Sequence, residues 1–370
     1  MTKSNIRVLV VDDSPLMRAM IEDCIDEAPG MEVVGMAEDG QHAVELSEKI
    51  QPDVITLDVE MPKMNGLEAL DLIFAQKPIA VIVVSALTSF GANITLEALE
   101  RGAIDFIPKP STELGSIESW QNELTQKIKS ASKTDLQKIS ERRERHQGSN
   151  YKSTQIQEPV KSIPANNYGD KVIVIGISTG GPPALTSLFE NLRGSLPPIV
   201  IVQHMPKSFT TPFAARLNSI TDLEVKEATT GDKLESNYVY IAPGGQHLYI
   251  RPHKDGRTGR LIVKGGELVS GHIPSADLTF ECAADVYGDR CLGVIMTGMG
   301  RDGATGCGYI RKKGGFVLGQ NEKSSSVYGM NKAAFIEGHV DRQFDLDSAS
   351  DTICEQIESL WDDQRNQVAR

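Results

Sequence analysis

Short runs of apolar residues alternate with amphipathic stretches through the first part of the chain. Such runs are typical of strands buried on both faces of a parallel sheet, and the stretches between them have helical periodicity. This alternation predicts βαβ units in an α/β domain over residues 5–124. Ser14 and Pro15 favour a helix start directly after the first run. The predicted strands cover residues 7–11, 53–57, 79–84 and 103–107.

The same alternation returns over residues 168–358, with far more glycine. Ser178, His204 and Asp302 each come just beyond an apolar run. Because ligands of open α/β sheets bind at the carboxyl ends of the strands, the three residues are candidates for one site. The predicted strands cover residues 172–177, 199–202, 238–242, 292–296 and 316–318.

Residues 125–167, between these regions, are polar and charged, with isolated prolines towards their end. This composition predicts a partly helical charged extension followed by a flexible linker. Its basic residues could bind an acidic partner, but a solvated linker is the better account of them.

Composition narrows the class of protein further. A length of 370 residues favours two or three domains, and a net charge of −12 argues against a general nucleic-acid binder. No apolar run approaches the roughly 20 residues of a membrane helix, so we expect no membrane insertion. The N-terminus leads straight into a strand, which predicts no signal peptide. Scattered cysteines favour reduced thiols in a cytoplasm over disulfides or a zinc site.

The first region carries an acidic cluster at its predicted strand ends. Asp12, Asp13 and Asp58 converge if their strands are parallel neighbours, and Mg²⁺ would relieve the repulsion between them. A carboxylate can then attack phosphorus, with Lys109 and the Ser85 hydroxyl binding the phosphate oxygens. The alternative is that the aspartates cap the next helix and the lysine is a surface residue, which is a poor account of all five together.

This region resembles the receiver domain of bacterial response regulators. The resemblance rests on Val-Val-Asp-Asp-Ser-Pro from residue 10, Leu-Asp-Val-Glu-Met-Pro from residue 57, Val-Ser-Ala from residue 84 and Ile-Pro-Lys-Pro from residue 107. It implies a flavodoxin-like domain with a five-stranded parallel sheet and phosphorylation of Asp58 by a histidine kinase. It also implies that Mg²⁺ is held by Asp13, Asp58 and the Glu60 carbonyl, with Asp12 supporting them. The implied switch residues are Ser85, Phe106 and Lys109.

The second region contains Gly-Ile-Ser-Thr-Gly at residues 176–180, which fits the Gly-x-Ser-x-Gly nucleophile elbow. Pro182 and Pro183 favour a helix starting immediately after it. A phosphate-binding turn is the alternative, since glycine-rich strand–helix junctions also bind phosphate. Against that alternative, Ser178 replaces the middle glycine of a dinucleotide fingerprint and no Gly-Lys-Ser/Thr is present.

A serine nucleophile needs a base, for which His204 at a strand end is the first candidate and His272 the one serious competitor. Asp302 could orient the imidazole. Alternatively, it could be a turn aspartate that accepts hydrogen bonds from backbone N–H groups. The order Ser, His, Asp differs from the Ser, Asp, His order of α/β-hydrolases, which argues against a lipase-type enzyme.

These motifs together resemble the catalytic domain of chemotaxis protein-glutamate methylesterases. The segments are Ile-Ser-Thr-Gly-Gly from residue 177, Gln-His-Met-Pro from 203, Ala-Pro-Gly-Gly-Gln-His from 242, His-Ile-Pro-Ser from 272 and Met-Thr-Gly-Met-Gly-Arg-Asp-Gly from 296. The family usually has proline where this chain has Asn331, a departure that affects the shape of one loop.

The resemblance implies a doubly wound α/β catalytic domain with a mainly parallel sheet. It implies nucleophile Ser178, base His204 and orienting Asp302, with Thr179 and the backbone around Met299 shaping the oxyanion site. A receptor glutamate methyl ester would be attacked, methanol would leave, and water would hydrolyse the acyl-enzyme without a cofactor. Selected receptor glutamines would also be deamidated.

Joining the two regions suggests a switch connected to an enzyme, in which phosphorylation of Asp58 releases the catalytic domain from inhibition by the receiver. One rival is a receiver with a DNA-binding output domain, which the acidic balance and the lack of a helix-turn-helix pattern disfavour. A second rival is an inactive, phosphorylation-dependent binding module. Intact Ser178, His204 and Asp302 disfavour that rival.

Overall fold

The computed structural model describes residues 5–110, 117–137, 139–141, 143 and 168–361. These residues fall into two compact units, one on each side of residues 144–167. Most of the predicted linker therefore lies outside the described residues. Within them, no helix is both long enough and apolar enough to cross a membrane.

The first unit is an α/β domain whose five strands are all parallel, in the order β2-β1-β3-β4-β5. The predicted five-stranded parallel sheet is confirmed. The strands are β1 (Ile6–Val11), β2 (Met31–Ala37), β3 (Val54–Asp58), β4 (Ala80–Ser85) and β5 (Asp105–Pro108). The helices are α1 (Pro15–Asp26), α2 (Gly40–Ile50), α3 (Gly66–Gln76), α4 (Ser89–Glu100) and α5 (Ile117–Ala131).

Local sequence signals account for the helix starts in this unit. Ser14 is the N-cap of α1, where its hydroxyl accepts the Met17 N–H at 3.4 Å, and Pro15 is the first helical residue, as predicted. Asn65 and Glu68 form a capping box at the start of α3. These caps fix the residue at which each helix begins after the chain leaves the carboxyl edge of the sheet.

Helix α5 continues beyond residue 124, the predicted end of the first domain. Leu124 and Ile128 are buried against the sheet, and the Lys127 ammonium lies 2.8 Å from the Asp105 carboxylate. Because only one face of this helix is apolar, the charge-rich composition conceals its packing face in the sequence.

The second unit contains a seven-stranded sheet, in the order β14-β13-β12-β6-β7-β9-β8, and a separate antiparallel hairpin, β10–β11. The strands are β6 (Val172–Ile177), β7 (Ile199–Gln203), β8 (Glu224–Glu227), β9 (Tyr238–Ile241), β10 (His247–Pro252), β11 (Gly259–Lys264), β12 (Cys291–Ile295), β13 (Phe316–Gln320) and β14 (Arg342–Phe344). The helices are α6 (Gly181–Asn191), α7 (Lys207–Ile220), α8 (Ala276–Tyr287), α9 (Ala304–Lys312), α10 (Met330–Ile336) and α11 (Ala349–Trp361).

All seven strands of the large sheet are parallel, so the predicted doubly wound α/β fold is confirmed. The chain leaves β6 towards β7 on one side and later returns to place β12 on the other side. The strand order therefore reverses at β6, and a crevice is expected beyond the carboxyl ends of β6 and its neighbours.

Candidate functional sites

Acidic side chains from two neighbouring strands meet at the carboxyl edge of the first sheet. Asp12 and Asp13 follow β1, and Asp58 ends β3, which pairs directly with β1. Carboxylate oxygens of the three residues lie within 4.8 Å of one another, with Asp12 and Asp58 buried and Asp13 exposed. Lys109, just beyond β5, places its ammonium 2.8 Å from Asp58 Oδ2 and 2.9 Å from Asp12 Oδ2.

The electrostatics of this cluster favour an added cation. Burial raises the pKa of Asp58 to about 6, although the Lys109 ammonium opposes the rise. Asp12 Oδ2 is buried and accepts no hydrogen bond from the residues that the structure describes, so its partner among them is the Lys109 ammonium. Three converging carboxylates with one ammonium form an oxygen-rich, electron-rich donor set of the kind that Mg²⁺ prefers. The residues present therefore fit this metal.

The predicted switch residues lie on the two strands next to this cluster. The Ser85 hydroxyl donates to the carbonyl of Gly91 at 3.3 Å, and its own carbonyl accepts the Lys109 N–H at 2.7 Å. Phe106 is buried on β5, with the Lys127 ammonium 5.9 Å from its ring centroid. Glu60 donates its backbone N–H to Asp58 Oδ1 at 3.2 Å, which holds the segment after β3 close to the acidic cluster.

In the second unit, three candidate residues follow three adjacent strands. Ser178 follows β6, His204 follows β7, and Asp302 lies in the loop after β12. The Ser178 N–H donates to the Thr297 carbonyl at 3.0 Å, and its carbonyl accepts the Gly181 N–H at 2.7 Å. Ser178 thus occupies a tight turn between β6 and α6, at the strand where the sheet order reverses.

The turn presents unpaired donors at the start of a helix. The backbone N–H groups of Thr179 and Gly180 donate to none of the described residues. Gly180 has a φ of +74°, which permits this turn without strain, and α6 begins at the next residue with Pro182 near its start, as predicted. Two free N–H groups at a helix N-terminus suit a developing negative charge.

The His204 ring is hydrogen-bonded to the loop that carries Asp302. His204 Nε2 lies 2.8 Å from Asp302 Oδ2, and its Nδ1 is buried with no hydrogen-bond partner among the described residues. A proton on Nε2, donated to Asp302, leaves the lone pair on Nδ1 free to accept another proton. The Ser178 hydroxyl makes no hydrogen bond to the described residues, so it remains available to react.

Asp302 is fully buried and accepts hydrogen bonds from four donors. Besides His204, these are the Ser275 hydroxyl at 2.8 Å and the backbone N–H groups of Ala276 at 2.7 Å and Asp277 at 3.1 Å. Burial alone would raise the pKa of Asp302, but the His204 ring and the backbone donors together lower it. The carboxylate is therefore ionised and held in one orientation.

His272, the competing base in the sequence, lies against the same histidine. Its ring stacks on His204 with centroids 3.8 Å apart and an interplanar angle of 8°. Asp302 forms its hydrogen bond with His204 and none with His272. This geometry favours His204 as the base and gives His272 a place on the face of the ring.

A loop after β13 closes the other side of the turn. The Thr297 hydroxyl donates to the Thr179 carbonyl at 3.0 Å and accepts the Val327 N–H at 2.9 Å. Asn331, the departure noted in the sequence analysis, is buried and donates to the Gln320 carbonyl at 2.8 Å and Ser325 Oγ at 2.7 Å. A proline could supply neither bond, so this chain fixes the loop with its own side chain.

The remaining candidates are close to this turn, and other contributors were not assigned from the sequence. The Thr179 side chain is buried, and Met299 is partly exposed in the loop before Asp302. Thr297, Ser275 and Gln203 have no role in the sequence analysis, although all three lie within the motifs that carry the family resemblance. Only their hydrogen bonds reveal what they support.

Comparisons with known proteins find relatives of both units. Residues 173–353 match the family model for the CheB methylesterase, and residues 8–117 match that for the response regulator receiver domain. A protein-glutamate methylesterase/protein-glutamine glutaminase of Pyrococcus abyssi is 43% identical over 97% of this chain and 96% of its own length.

A protein of the same name from Thermotoga maritima is 41% identical over 92% of this chain and 95% of its own length. The crystal structure of the Thermotoga maritima CheB methylesterase catalytic domain is 36% identical to this chain. It covers 50% of this chain and 98% of its own, with a TM-score of 0.49.

Proposed function

Because this chain belongs to the protein-glutamate methylesterase/protein-glutamine glutaminase family, we propose that it hydrolyses glutamate methyl esters on chemotaxis receptors and releases methanol. It is a carboxylic ester hydrolase joined to a receiver domain. The observation that carries the chemical proposal is the His204–Asp302 pair beside the Ser178 turn at the reversal of strand order.

In the first half-reaction, Ser178 Oγ attacks the ester carbonyl carbon while His204 Nδ1 takes the hydroxyl proton. Asp302 stabilises the imidazolium that forms. The N–H groups of Thr179 and Gly180 donate to the new oxyanion, with the backbone near Met299 as a further contributor. The C–O bond to the methoxy group then breaks, and His204 returns the proton so that methanol leaves.

In the second half-reaction, His204 removes a proton from water, and the resulting hydroxide attacks the acyl carbon on Ser178. The ester bond to Ser178 breaks, His204 reprotonates the hydroxyl, and a glutamate carboxylate is released. With a glutamine substrate, the same steps release ammonia instead of methanol. Deamidation therefore needs no group beyond those of ester hydrolysis.

We also propose that a chemotaxis histidine kinase phosphorylates Asp58 and thereby raises the esterase rate. Asp12, Asp13, Asp58 and the carbonyl of Glu60 would hold Mg²⁺, which offsets negative charge on the phosphoryl oxygens when bound. The Lys109 ammonium and the Ser85 hydroxyl would bind those oxygens. We assign the receiver to residues 5–131, through the end of α5, the remaining extension and linker to 132–167, and the catalytic domain to 168–358.

Control by phosphorylation predicts that a small phosphodonor with Mg²⁺ accelerates methanol release from methylated receptor membranes. The acceleration should disappear in Asp58→Asn, because an amide is a poor nucleophile towards phosphorus. Asp53→Asn, at the opposite end of β3, is the matched control and should keep the full response. Equal rates with and without phosphodonor in the wild-type protein would retain the esterase and remove the proposed control.

Metal binding at the acidic cluster predicts that Mg²⁺ changes the fluorescence of Trp120, whose indole N–H donates to the Pro108 carbonyl at 2.7 Å beside Lys109. Asp13→Asn should weaken the apparent affinity at least about tenfold, the loss caused by removing even an outer-shell contact. Asp13 suits this test because it is exposed, so its replacement leaves no unpaired buried charge. The titration uses a Trp361→Phe background, which removes the second tryptophan.

The same titration on Asp53→Asn controls for a general loss of negative charge. An unchanged affinity in Asp13→Asn would place the metal elsewhere. An equal loss in both variants would indicate non-specific attraction to an acidic protein.

A further inference from the structure

We infer that Gln203 is a positioning residue for the serine–histidine reaction, an inference that rests on the proposed esterase function. Gln203 is the last residue of β7, and it pairs with Ile177 at the end of β6. It therefore lies where the strand carrying the nucleophile and the strand carrying the base run side by side. Its side chain is 2% exposed, so it is not placed to bind a substrate directly.

A single amide group of Gln203 connects the two reacting residues. Its Nε2 donates to the Ser178 carbonyl at 3.1 Å and to the His204 carbonyl at 3.2 Å. An amide nitrogen has two protons, so both bonds form at once. The relative position of the two main-chain segments thus depends on one planar side-chain group.

The other end of this amide fits closely against the turn. Gln203 Oε1 is buried and accepts no hydrogen bond from the described residues. A β-carbon on Gly181 would overlap this oxygen, so a larger residue there would have to displace the amide. A buried carbonyl without a donor is unfavourable. This cost is understandable if the two hydrogen bonds that Nε2 donates matter more than a hydrogen bond that Oε1 could accept.

A purely structural role would affect stability, whereas a positioning role affects the chemical step. Proton transfer during the attack needs Ser178 Oγ and His204 Nδ1 at the right separation. An error of about 1 Å in that separation can cost roughly 100-fold in rate. The amide contacts backbone atoms of both residues and, being buried, leaves substrate binding unchanged. Loss of Gln203 should therefore lower kcat and leave KM nearly unaltered.

The direct test is Gln203→Met, which keeps the length of the side chain and removes both donors. We expect kcat for methanol release from methylated receptors to fall about 10- to 100-fold, with KM and the thermal midpoint close to those of the control. The matched control is Gln356→Met, which replaces a buried glutamine on α11 with no hydrogen bond to either residue. A kcat equal to that of Gln356→Met, or a fall in kcat/KM caused by KM alone, would overturn the inference.

A second test does not depend on the stability of Gln203→Met. Gly181→Ala should lower kcat by displacing the amide, but it should add little further loss in a Gln203→Ala background, where the oxygen is absent. Neighbouring substitutions that act through one contact are non-additive in this way. Full additivity of the two losses would mean that Gly181 and Gln203 act separately, and would overturn the inference.

These outcomes are separable from failure of the proposed function. If the wild-type protein releases no methanol, the esterase proposal fails. If the wild-type protein is active and Gln203→Met is equally active, only the positioning role is wrong.

Discussion

Replacement of Ser178 by alanine should reduce methanol release by up to about 10⁶-fold, as loss of the nucleophile does in other serine hydrolases. Ser178 is the first residue after β6, the strand at which the sheet order reverses. Without its Oγ no acyl-enzyme forms. The free N–H groups of Thr179 and Gly180 can then only polarise the ester carbonyl for direct attack by water. Residual activity should therefore be small and insensitive to the phosphodonor.

Methanol released from methylated receptor membranes measures this loss, and a serine-directed fluorophosphonate gives a second readout. The wild-type protein should gain one covalent adduct in the peptide that contains Ser178, and Ser178→Ala should gain none there. Ser187→Ala, on the helix that follows the turn, is the matched control and should keep its activity. A loss below tenfold in Ser178→Ala would instead favour a binding module that carries an unused serine.

The positions of the three candidate catalytic residues could be predicted because parallel strands end at one edge. The apolar runs locate β6, β7 and β12, and the polar residue after each run must then lie at the carboxyl edge of the sheet. The sequence could not show which histidine Asp302 contacts. His204 and His272 were both open, and only the loop geometry after β12 separates them.

Supporting contacts were harder to predict, because they depend on side-chain orientation rather than on pattern. The motif that begins at Gln203 was visible, but its two hydrogen bonds require the register of β6 against β7. Strand β2 was missed because Glu32 and Gly35 interrupt its apolar residues. The end of α5 was missed because charged residues cover its exposed face.

Replacement of Asp302 by asparagine should lower kcat by about 10⁴-fold, the effect of the equivalent change in other catalytic triads. Asp302 accepts bonds on both oxygens, with His204 and Ala276 on Oδ2 and Ser275 and Asp277 on Oδ1. Asparagine must place an NH₂ group against one of these pairs of donors. If the NH₂ group takes the place of Oδ2, it donates to His204 Nε2, and the His204 proton moves from Nε2 to Nδ1. The lone pair that should receive the Ser178 proton is then lost.

If the NH₂ group faces the partners of Oδ1 instead, the buried N–H of Asp277 loses its acceptor, at a cost of about 1–3 kcal/mol in the free energy of unfolding. In the first orientation the buried N–H of Ala276 loses its acceptor in the same way, so both orientations lower stability, and only the first also lowers kcat. Asp277→Asn is the matched control, because Asp277 is also buried and accepts bonds from Gly306 N–H and Ser270 Oγ but not from His204.

Steady-state kinetics and thermal unfolding of both variants distinguish the two effects. Asp277→Asn should lose stability and keep most of its kcat, whereas Asp302→Asn should lose kcat far beyond any loss of stability. More than a tenth of wild-type activity in Asp302→Asn would mean that a neutral amide supports His204 as well as the carboxylate does. The negative charge of Asp302 would then serve the structural link between the loop after β12 and the end of β7 rather than the reaction.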